Sequence, residues 1–431
     1  MERTVSIGLS VYVHLAPSKR PLPSELLLEN AKMEMMPRVL LIIPTTSYRA
    51  NDFFEAAESL GIEVTVAAEE PLPLVAPEQF IAIDCERPQE AARAIVDLAT
   101  TTPIDAIVPV DDAGVTIAAL SAQELGLPHN PPSAAAATRD KALMRELLAA
   151  AEVDQPSFAV TESDGMVEAA KIGFPLVVKP LSLSGSRGVI RVNSIEELEP
   201  AIEMVRDIAG AEKILIEEFI PGPEVAVEGI VWNGELEVLA IFDKPDPLEG
   251  PFFEETIYVT PSSLEPPMQA EVERVTQTAI DGLGLTEGPI HAELRIAPTG
   301  RPRLIEVAAR SIGGICGRSL SFGLLDTPLE ALILRHALGR RASLPQKPGP
   351  SGVMMIPIPK RGILKGVNGI ESARQVAGIR SIEITMSAGA SVRPVPESDR
   401  YLGFIFASGP DSASVESALR RAHGLLEIDI D

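Results

Sequence analysis

One lysine of the sequence ends an apolar run and precedes a glycine-containing segment. Lys179 follows Leu176-Val177-Val178, and the segment Ser184–Gly188 comes shortly after it. Burying an ammonium group is costly unless an anion pairs with it, and the backbone N–H groups of a glycine loop can approach an anion closely. The alternative is a hairpin whose lysine reaches solvent. The candidate anion ligands are Lys179, Ser184, Gly185, Ser186 and Gly188.

A second lysine, Lys141, begins a predicted helix directly after Asp140. Asp140 is a suitable N-cap, whereas a cation in the first turn opposes the helix dipole. A bound phosphate would explain Lys141, and a solvated surface lysine is the alternative.

Two acids end the apolar run 214–216, and another acid follows a Pro-Gly turn. Backbone groups of such a hinge could pair with the edge of an adenine, and the later carboxylate could bind ribose hydroxyls. The alternative is a strand, a turn and a strand with solvated acids. The candidate residues are Glu217, Glu218, Phe219, Ile220 and Glu224.

A later segment alternates polar and apolar residues, so His291, Glu293 and Arg295 share one face of a predicted strand. Glu306 lies in a second apolar run, and a tight turn near Gly300 would bring its carboxylate within about 6 Å of that of Glu293. Two close carboxylates repel unless they share a proton or a cation. Oxygen ligands beside phosphate suit Mg²⁺, and exposed salt bridges are the alternative.

Arg310 follows Glu306 by four residues and precedes two glycines. A guanidinium at this place can contact a phosphoryl group during its transfer. Gly313 and Gly314 offer no bulky side chain, which indicates a roomy substrate pocket. Ser311, Gly313 and Gly314 are the candidate substrate residues.

The composition excludes several classes of function. The 431 residues include 61 acidic and 37 basic residues, with a formal net charge of −24. This charge argues against a partner that is nucleic acid or an anionic membrane, and no apolar run reaches the roughly 18 residues of a spanning helix. The two cysteines, Cys85 and Cys316, predict reduced thiols and a cytoplasmic location.

Residues 1–36 are predicted to be a poorly ordered extension or to result from a misassigned start codon. The pattern of elements after them predicts three domains. Continuous apolar strands alternate with helices in residues 37–130, which is typical of a doubly wound, parallel α/β sheet covered on both faces. Residues 131–342 follow as an α+β region in which Asn233-Gly234 predicts a hairpin. Residues 351–431 form a predicted small α+β domain, after a proline-rich break at 340–350.

The order of these residues resembles the ATP-grasp superfamily from about Arg38 to Arg340. The resemblance implies an ATP-grasp fold of two lobes with ATP between them. Lys141 and Lys179 would hold the α- and β-phosphates, and the loop Ser184–Gly188 would close over the nucleotide. It further implies that the backbone of residues 217–220 contacts adenine, that Glu224 binds ribose, that Glu293 and Glu306 hold Mg²⁺, and that Arg310 steadies the transferred phosphoryl group.

The sequence Glu306-Val307-Ala308-Ala309-Arg310, with the earlier His-x-Glu, is similar to the L-amino acid ligase branch. The C-terminal stretch Gly403–Pro410 resembles the last domain of that branch. Many members of the superfamily carry Asn, a further metal ligand, where Ala308 stands.

This resemblance implies an ADP-forming carboxylate–amine ligase that works through an acyl phosphate. Its cofactors would be ATP and Mg²⁺, with Mn²⁺ as a substitute, and its partners a small carboxylate, such as an amino acid, and an amine. A homodimer is left open. The alternatives are a purine-pathway or biotin-carboxylase-like ATP-grasp ligase and a nucleotide-binding module without turnover.

Overall fold

The computed structural model describes residues 36–341 and 349–431, apart from positions 46, 74 and 399. The predicted extension lies outside the described residues except for Met36, and so does most of the predicted break at 340–350. Within the described part, no helix is long and apolar enough to cross a membrane.

The first region is a four-stranded parallel sheet between helices. Its elements are β1 (Arg38–Ile42), α1 (Ala50–Leu60), β2 (Glu63–Ala68), β3 (Phe80–Ala82), α2 (Pro88–Ala99), β4 (Ala106–Pro109), α3 (Val115–Leu125) and α4 (Pro132–Ala137). The strand order is β3-β2-β1-β4. Val39 and Leu41 pack in the core that includes α1, whereas Leu40 and Ile42 pack with α2 and α3 on the other face. The predicted sheet with two covered faces is therefore confirmed.

The second region carries a small antiparallel sheet. Its elements are α5 (Lys141–Ala150), β5 (Phe158–Thr161), α6 (Met166–Ile172), β6 (Leu176–Pro180), β7 (Ile190–Val192), α7 (Ile195–Ala209) and β8 (Ile214–Glu218). The strand order is β5-β8-β6-β7. Leu176 and Val178 pack against α7 in a core of this sheet's own. Because side chains alternate along a strand, Val177 and Lys179 lie on the opposite face, which lines a cavity.

The third region provides the long strands of a large sheet. Its elements are β9 (Glu224–Trp232), β10 (Glu235–Lys244), β11 (Ile257–Thr260), α8 (Pro266–Leu283), β12 (Glu287–Ile296), β13 (Pro302–Ala308), α9 (Arg318–Ser321) and α10 (Leu329–Ala337). Asn233 and Gly234 have φ values of 51° and 87° between β9 and β10, which confirms the predicted tight hairpin turn.

The C-terminal elements are β14 (Ser351–Ile356), β15 (Gly362–Asn368), α11 (Ile370–Arg374), β16 (Ile379–Ile384), β17 (Ser391–Val392), β18 (Gly403–Ser408), α12 (Ser412–His423) and β19 (Glu427–Ile430). Three of these strands extend the large sheet, whose order is β13-β12-β9-β10-β11-β14-β18-β16, and the other three form a separate sheet, β17-β15-β19. The C-terminal region thus shares a sheet with the third region, and the predicted domain bounds stay predictions.

A buried ion pair joins the first region to α10. Arg49 donates to Glu330 at 2.9 Å and to the carbonyl of Val110 at 3.2 Å, and both charged side chains are almost inaccessible. Removing one partner of such a pair costs about 3–5 kcal/mol, because the other charge stays buried. The pair therefore fixes the segment directly after β4, and this segment contains a site residue that is described below.

Candidate active site

One cavity of about 540 Å³ collects most of the residues that the sequence singled out. This volume lies in the range typical of small-molecule sites. All the predicted site residues line it except Gly188 and Ser311. Ser311 is buried, and its carbonyl accepts a hydrogen bond from Arg310 at 2.9 Å.

At one end of the cavity, Lys179 lies against Glu217. Lys179 Nζ is 2.7 Å from one carboxylate oxygen, and Arg145 Nε is 2.6 Å from the other. Burial would raise the pKa of Glu217, but Arg145 and Lys179 hold it at about 2. Burial lowers the pKa of Lys179 despite the attraction of Glu217, so a phosphate nearby would favour the ammonium form.

Lys141 connects the glycine loop to one of the predicted metal ligands. Asp140 caps α5 by accepting from the N–H groups of Ala142 and Leu143, as predicted. Lys141 Nζ donates to the carbonyl of Leu183 at 2.7 Å and lies 3.0 Å from Glu306 Oε1. The Lys141 side chain is therefore buried next to two oxygen acceptors rather than solvated.

The glycine loop follows β6. Gly185, Ser186 and Gly188 all have positive φ values, of 62°, 57° and 71°. Successive residues of this kind turn backbone N–H groups toward one side of a loop. The N–H of Gly188 is already occupied, because it donates to the carbonyl of Pro396 at 3.0 Å. Gly188 therefore anchors the loop to the C-terminal region, while the other two residues line the cavity.

The hinge after β8 has fewer unused groups than the sequence implied. The N–H of Phe219 donates to the carbonyl of Pro175 at 3.1 Å, and the carbonyl of Ile220 accepts from Arg295 at 2.9 Å. The carboxylate of Glu218 accepts from Arg303 at 2.9 Å. An adenine would have to pair with the remaining backbone groups of this hinge, and its binding here stays a prediction.

A third lysine, Lys244, binds three carboxylates at once. Its Nζ lies 2.6 Å from Glu224, 2.5 Å from Glu255 and 3.2 Å from Glu293. Carboxylate oxygens of these acids lie within 4.8 Å of one another. Since Arg295 also donates to Glu224 at 2.8 Å, the predicted ribose ligand is engaged through both oxygens.

Sequence reasoning gave Lys244 and Glu255 no individual role, although both belong to segments, 243–244 and 254–261, that resemble the L-amino acid ligase branch. The available signal was a lysine at the end of an apolar strand, the same feature that identified Lys179. The three acids around Lys244 belong to three different segments, so their convergence has no local signature.

The predicted pair of acids lies on neighbouring strands. Glu293 of β12 is directly opposite Glu306 of β13 in the antiparallel register. The turn between the strands is closed by Gly300, whose N–H donates to the carbonyl of Ala297 at 2.8 Å. The two side chains have accessible fractions of 22% and 28% and both line the cavity. These partly exposed oxygen donors fit a hard cation such as Mg²⁺.

His291 connects Glu293, a predicted metal ligand, to a fully buried carboxylate. Its Nδ1 lies 3.1 Å from Glu228, and its Nε2 lies 3.5 Å from Glu293. Burial alone would lower the pKa of His291, but the two acids raise it to about 9. Both oxygens of Glu228 also accept from the N–H of Ile312, at 3.1 and 2.9 Å. Glu228 therefore holds both the imidazole and the segment after Arg310.

Arg310 meets a residue of the first region. It donates to Asp112 at 2.9 Å, and Arg139 lies 3.1 Å from the other oxygen of that carboxylate. Although burial opposes it, these arginines lower the pKa of Asp112. Asp112 was missed from sequence. Its position just after β4 was a usable signal, since ligands of α/β sheets bind beyond the carboxyl ends of strands.

Three family models match the chain along its length. An ATP-grasp N-terminal domain matches residues 54–129, an ATP-grasp domain matches residues 172–319, and an L-amino acid ligase C-terminal domain 2 matches residues 354–431. The chain belongs to the ATP-grasp superfamily. The predicted resemblance to this superfamily and to its L-amino acid ligase branch is thereby confirmed.

Similar proteins support the same placement of this ATP-grasp chain. Human carnosine synthase 1 is 26% identical over 77% of this chain and 43% of its own length. The alanine–anticapsin ligase of Bacillus subtilis is 29% identical over 52% of each chain, so this chain spans about half the length of these two relatives. The crystal structure of L-amino acid ligase from Bacillus licheniformis is 27% identical, with a TM-score of 0.79, over 92% of this chain and 99% of that one.

Proposed function

We propose that this ATP-grasp chain is an ADP-forming carboxylate–amine ligase that activates an amino acid as an acyl phosphate and joins it to an amine. The similar carnosine synthase, alanine–anticapsin ligase and L-amino acid ligase carry names of enzymes that ligate amino acids. The observation that carries the proposal is the cavity, which Lys141, Lys179, Arg310 and the facing Glu293–Glu306 pair all line.

The charges of the cavity suit a reaction between two anions. Lys141 and Lys179 would hold phosphate oxygens, and Arg310 would contact the phosphoryl group as it moves. Glu293 and Glu306 would hold Mg²⁺, with Mn²⁺ as a substitute. Such an ion offsets negative charge on phosphate oxygens. Phosphoryl transfer needs mainly positioning and electrostatic stabilisation, which these side chains supply.

The proposed reaction has two steps. A carboxylate oxygen attacks the γ-phosphorus of ATP, the bond to the bridging oxygen breaks, and ADP leaves. A neutral amine then attacks the acyl carbon, phosphate leaves with the electrons of the broken C–O bond, and the nitrogen loses a proton to form the amide. Arg310 would steady the charge of the phosphoryl group in the first step and of the leaving phosphate in the second.

The substrates in this proposal are small molecules, and the proposed location is the cytoplasm. The second point rests on the two cysteines, Cys85 and Cys316, which are free thiols in the structure. A reducing compartment keeps such thiols reduced.

Product analysis tests the proposal. The protein is incubated with Mg-ATP and amino acids, singly and in pairs, and then with hydroxylamine instead of the amine. We expect ADP and phosphate only when a carboxylate substrate is present, and a hydroxamate when hydroxylamine is added. Formation of AMP and pyrophosphate, or ADP release that is independent of any carboxylate, would contradict the acyl-phosphate mechanism.

A further inference from the structure

One part of the cavity lining is mostly apolar and aromatic, with Arg400 as a charged neighbour. Three separate parts of the chain build it: the loop after β1, the segment after Arg310, and the C-terminal region. The residues concerned are Tyr48, Gly313, Gly314, Met355, Tyr401 and Phe404. Charged groups dominate the phosphate end of the same cavity, so its two ends suit different parts of a substrate.

The aromatic rings pack against one another and form a wall. The ring centroids of Tyr48 and Phe404 are 5.9 Å apart with an interplanar angle of 75°, and those of Tyr401 and Phe404 are 6.4 Å apart. The guanidinium of Arg400 lies 5.7 Å from the ring of Tyr48. Contacts between the rings restrict their orientations, and Phe404 is 1% exposed. The wall is therefore preformed.

Two glycines lie beside this wall, and the first of them has open space next to it. A Cβ atom on Gly313 would meet no heavy atom within 4 Å, so the space next to this residue is open. A Cβ atom on Gly314 would lie 2.8 Å from the ring of Phe404, and its φ of +58° disfavours other residues. Any side chain at position 314 would collide with the wall, so glycine at this position allows the ring of Phe404 to pack close to the backbone.

We propose that this end of the cavity holds the side chain of the carboxylate donor, and that the donor is an amino acid with a large apolar or aromatic side chain. The inference rests on the proposed carboxylate activation. The glycines follow Arg310 by three and four residues and line the same cavity. Because Arg310 would contact the acyl phosphate, the group attached to the acyl carbon would extend toward them. An aromatic wall opposite an open space fits a phenyl, thioether or branched aliphatic group.

Hydroxamate formation, with hydroxylamine instead of the amine substrate, measures how well the wild-type protein activates each carboxylate donor. This readout depends on the carboxylate donor alone. Phenylalanine, leucine and methionine are compared with glycine, alanine and serine. A single methylene in an apolar pocket changes kcat/KM about 10–200-fold, so we expect each large donor to exceed glycine by at least tenfold. Equal values for large and small donors would overturn the inference. Absence of hydroxamate and ADP with every carboxylate would instead overturn the proposed function.

A substitution that fills the open space beside Gly313 tests whether this space determines the preference for large carboxylate donors, and a matched substitution elsewhere serves as the control. Gly313→Phe places a ring in the open space without a positive φ. Gly366→Phe makes the same change in β15, at another open glycine that does not line the cavity. We expect the ratio of kcat/KM for phenylalanine over alanine to fall about tenfold or more in Gly313→Phe and to stay at the wild-type value in Gly366→Phe. An unchanged ratio in Gly313→Phe would refute the assignment. If this variant fails to fold, the wild-type ranking alone decides.

Discussion

Arg310, on the loop after β13, donates a hydrogen bond of 2.9 Å to Asp112, which follows β4 in a different sheet. Since Arg139 lies against the same carboxylate at 3.1 Å, Asp112 holds two arginines at the point where the first region meets the cavity. The first region thus contributes directly to the orientation of the proposed catalytic arginine.

Asp112→Asn tests this contact. Loss of a charge-assisted hydrogen bond costs about 1.5–3 kcal/mol, so we expect kcat to fall about 10–100-fold because Arg310 is less well oriented. The affinity for ATP should change little. Asp52→Asn is the matched control, since it removes an acid of the first region that binds Arg318 at 2.6 Å outside the cavity. A wild-type kcat in Asp112→Asn would show that Asp112 does not position Arg310.

Lys179→Met tests the phosphate end of the cavity. The ammonium is buried near the end of β6 and lines the cavity together with residues of the glycine loop. Its removal should therefore weaken binding of a non-hydrolysable ATP analogue by about 2–5 kcal/mol. Titration calorimetry measures the change. Lys213→Met, at a lysine whose side chain is 62% exposed and pairs with Glu162, should bind the analogue with wild-type affinity. Equal affinity in both variants would show that Lys179 does not contribute to nucleotide binding.

Much of the local structure followed from periodicity. The alternation in His291–Ile296 and the tight turn near Gly300 predicted that Glu293 and Glu306 would lie on paired strands, and their register agrees. Gly61 and Gly126 end α1 and α3 in left-handed conformations, a position in which glycine is favoured at helix C-termini. Such features depend on the nearest residues along the chain and are therefore accessible to sequence reasoning.

Relationships between distant segments were not accessible. The pairing of β11 with β14 joins the third and C-terminal regions, but a strand sequence does not specify its partner. The three carboxylates around Lys244 and the contact of Asp112 with Arg310 likewise depend on how the sheets are placed. The aromatic wall combines Tyr48 with Phe404, more than 350 residues later in the sequence. No motif records such a pair.

The buried ion pair of Glu217 predicts a stability that depends on pH. Its pKa is lowered from 4.5 to about 2 by Arg145 and Lys179, although burial opposes the change. The carboxylate therefore stabilises the fold fully above pH 4.5, and this contribution, roughly 3 kcal/mol, is lost as the pH falls from 4.5 through 2. We expect the difference in free energy of unfolding between wild type and Glu217→Gln to shrink over this range in denaturant titrations. A constant difference from pH 6 to pH 3 would contradict the assignment.

Glu293→Gln and Glu306→Gln test the proposed metal site. An amide is a weaker ligand than a carboxylate for a hard cation. Loss of a charged ligand costs about 1.4 kcal/mol or more, so each variant should bind Mn²⁺ about tenfold more weakly or worse in the presence of ATP. Electron paramagnetic resonance of free Mn²⁺ measures this directly. Glu371→Gln, at a carboxylate that is 83% exposed and pairs with Arg374, is the control. The metal assignment fails if all three variants titrate alike.

Glu228→Gln tests a residue that would position the reacting groups through its contacts with His291 and Ile312. Glu228 is 0% exposed, binds His291 at 3.1 Å, and accepts from the N–H of Ile312 through both oxygens. A glutamine keeps an oxygen for Ile312 but loses the charge that pairs with the imidazolium. His291 lies against Glu293, and Ile312 follows Arg310. We therefore expect kcat to fall about tenfold, which corresponds to a lost contact of about 1.4 kcal/mol. The dissociation constant for ATP should change little.

Loss of stability alone must be separated from this effect. Glu330→Gln removes a carboxylate that is also buried and paired, here with Arg49 at 2.9 Å, and that does not line the cavity. Both variants should lower the melting temperature, because each leaves a cation without its partner. Only Glu228→Gln should lower kcat under conditions in which both proteins are folded. If the two variants lose kcat in proportion to their loss of stability, Glu228 supports the fold and does not position the reacting groups.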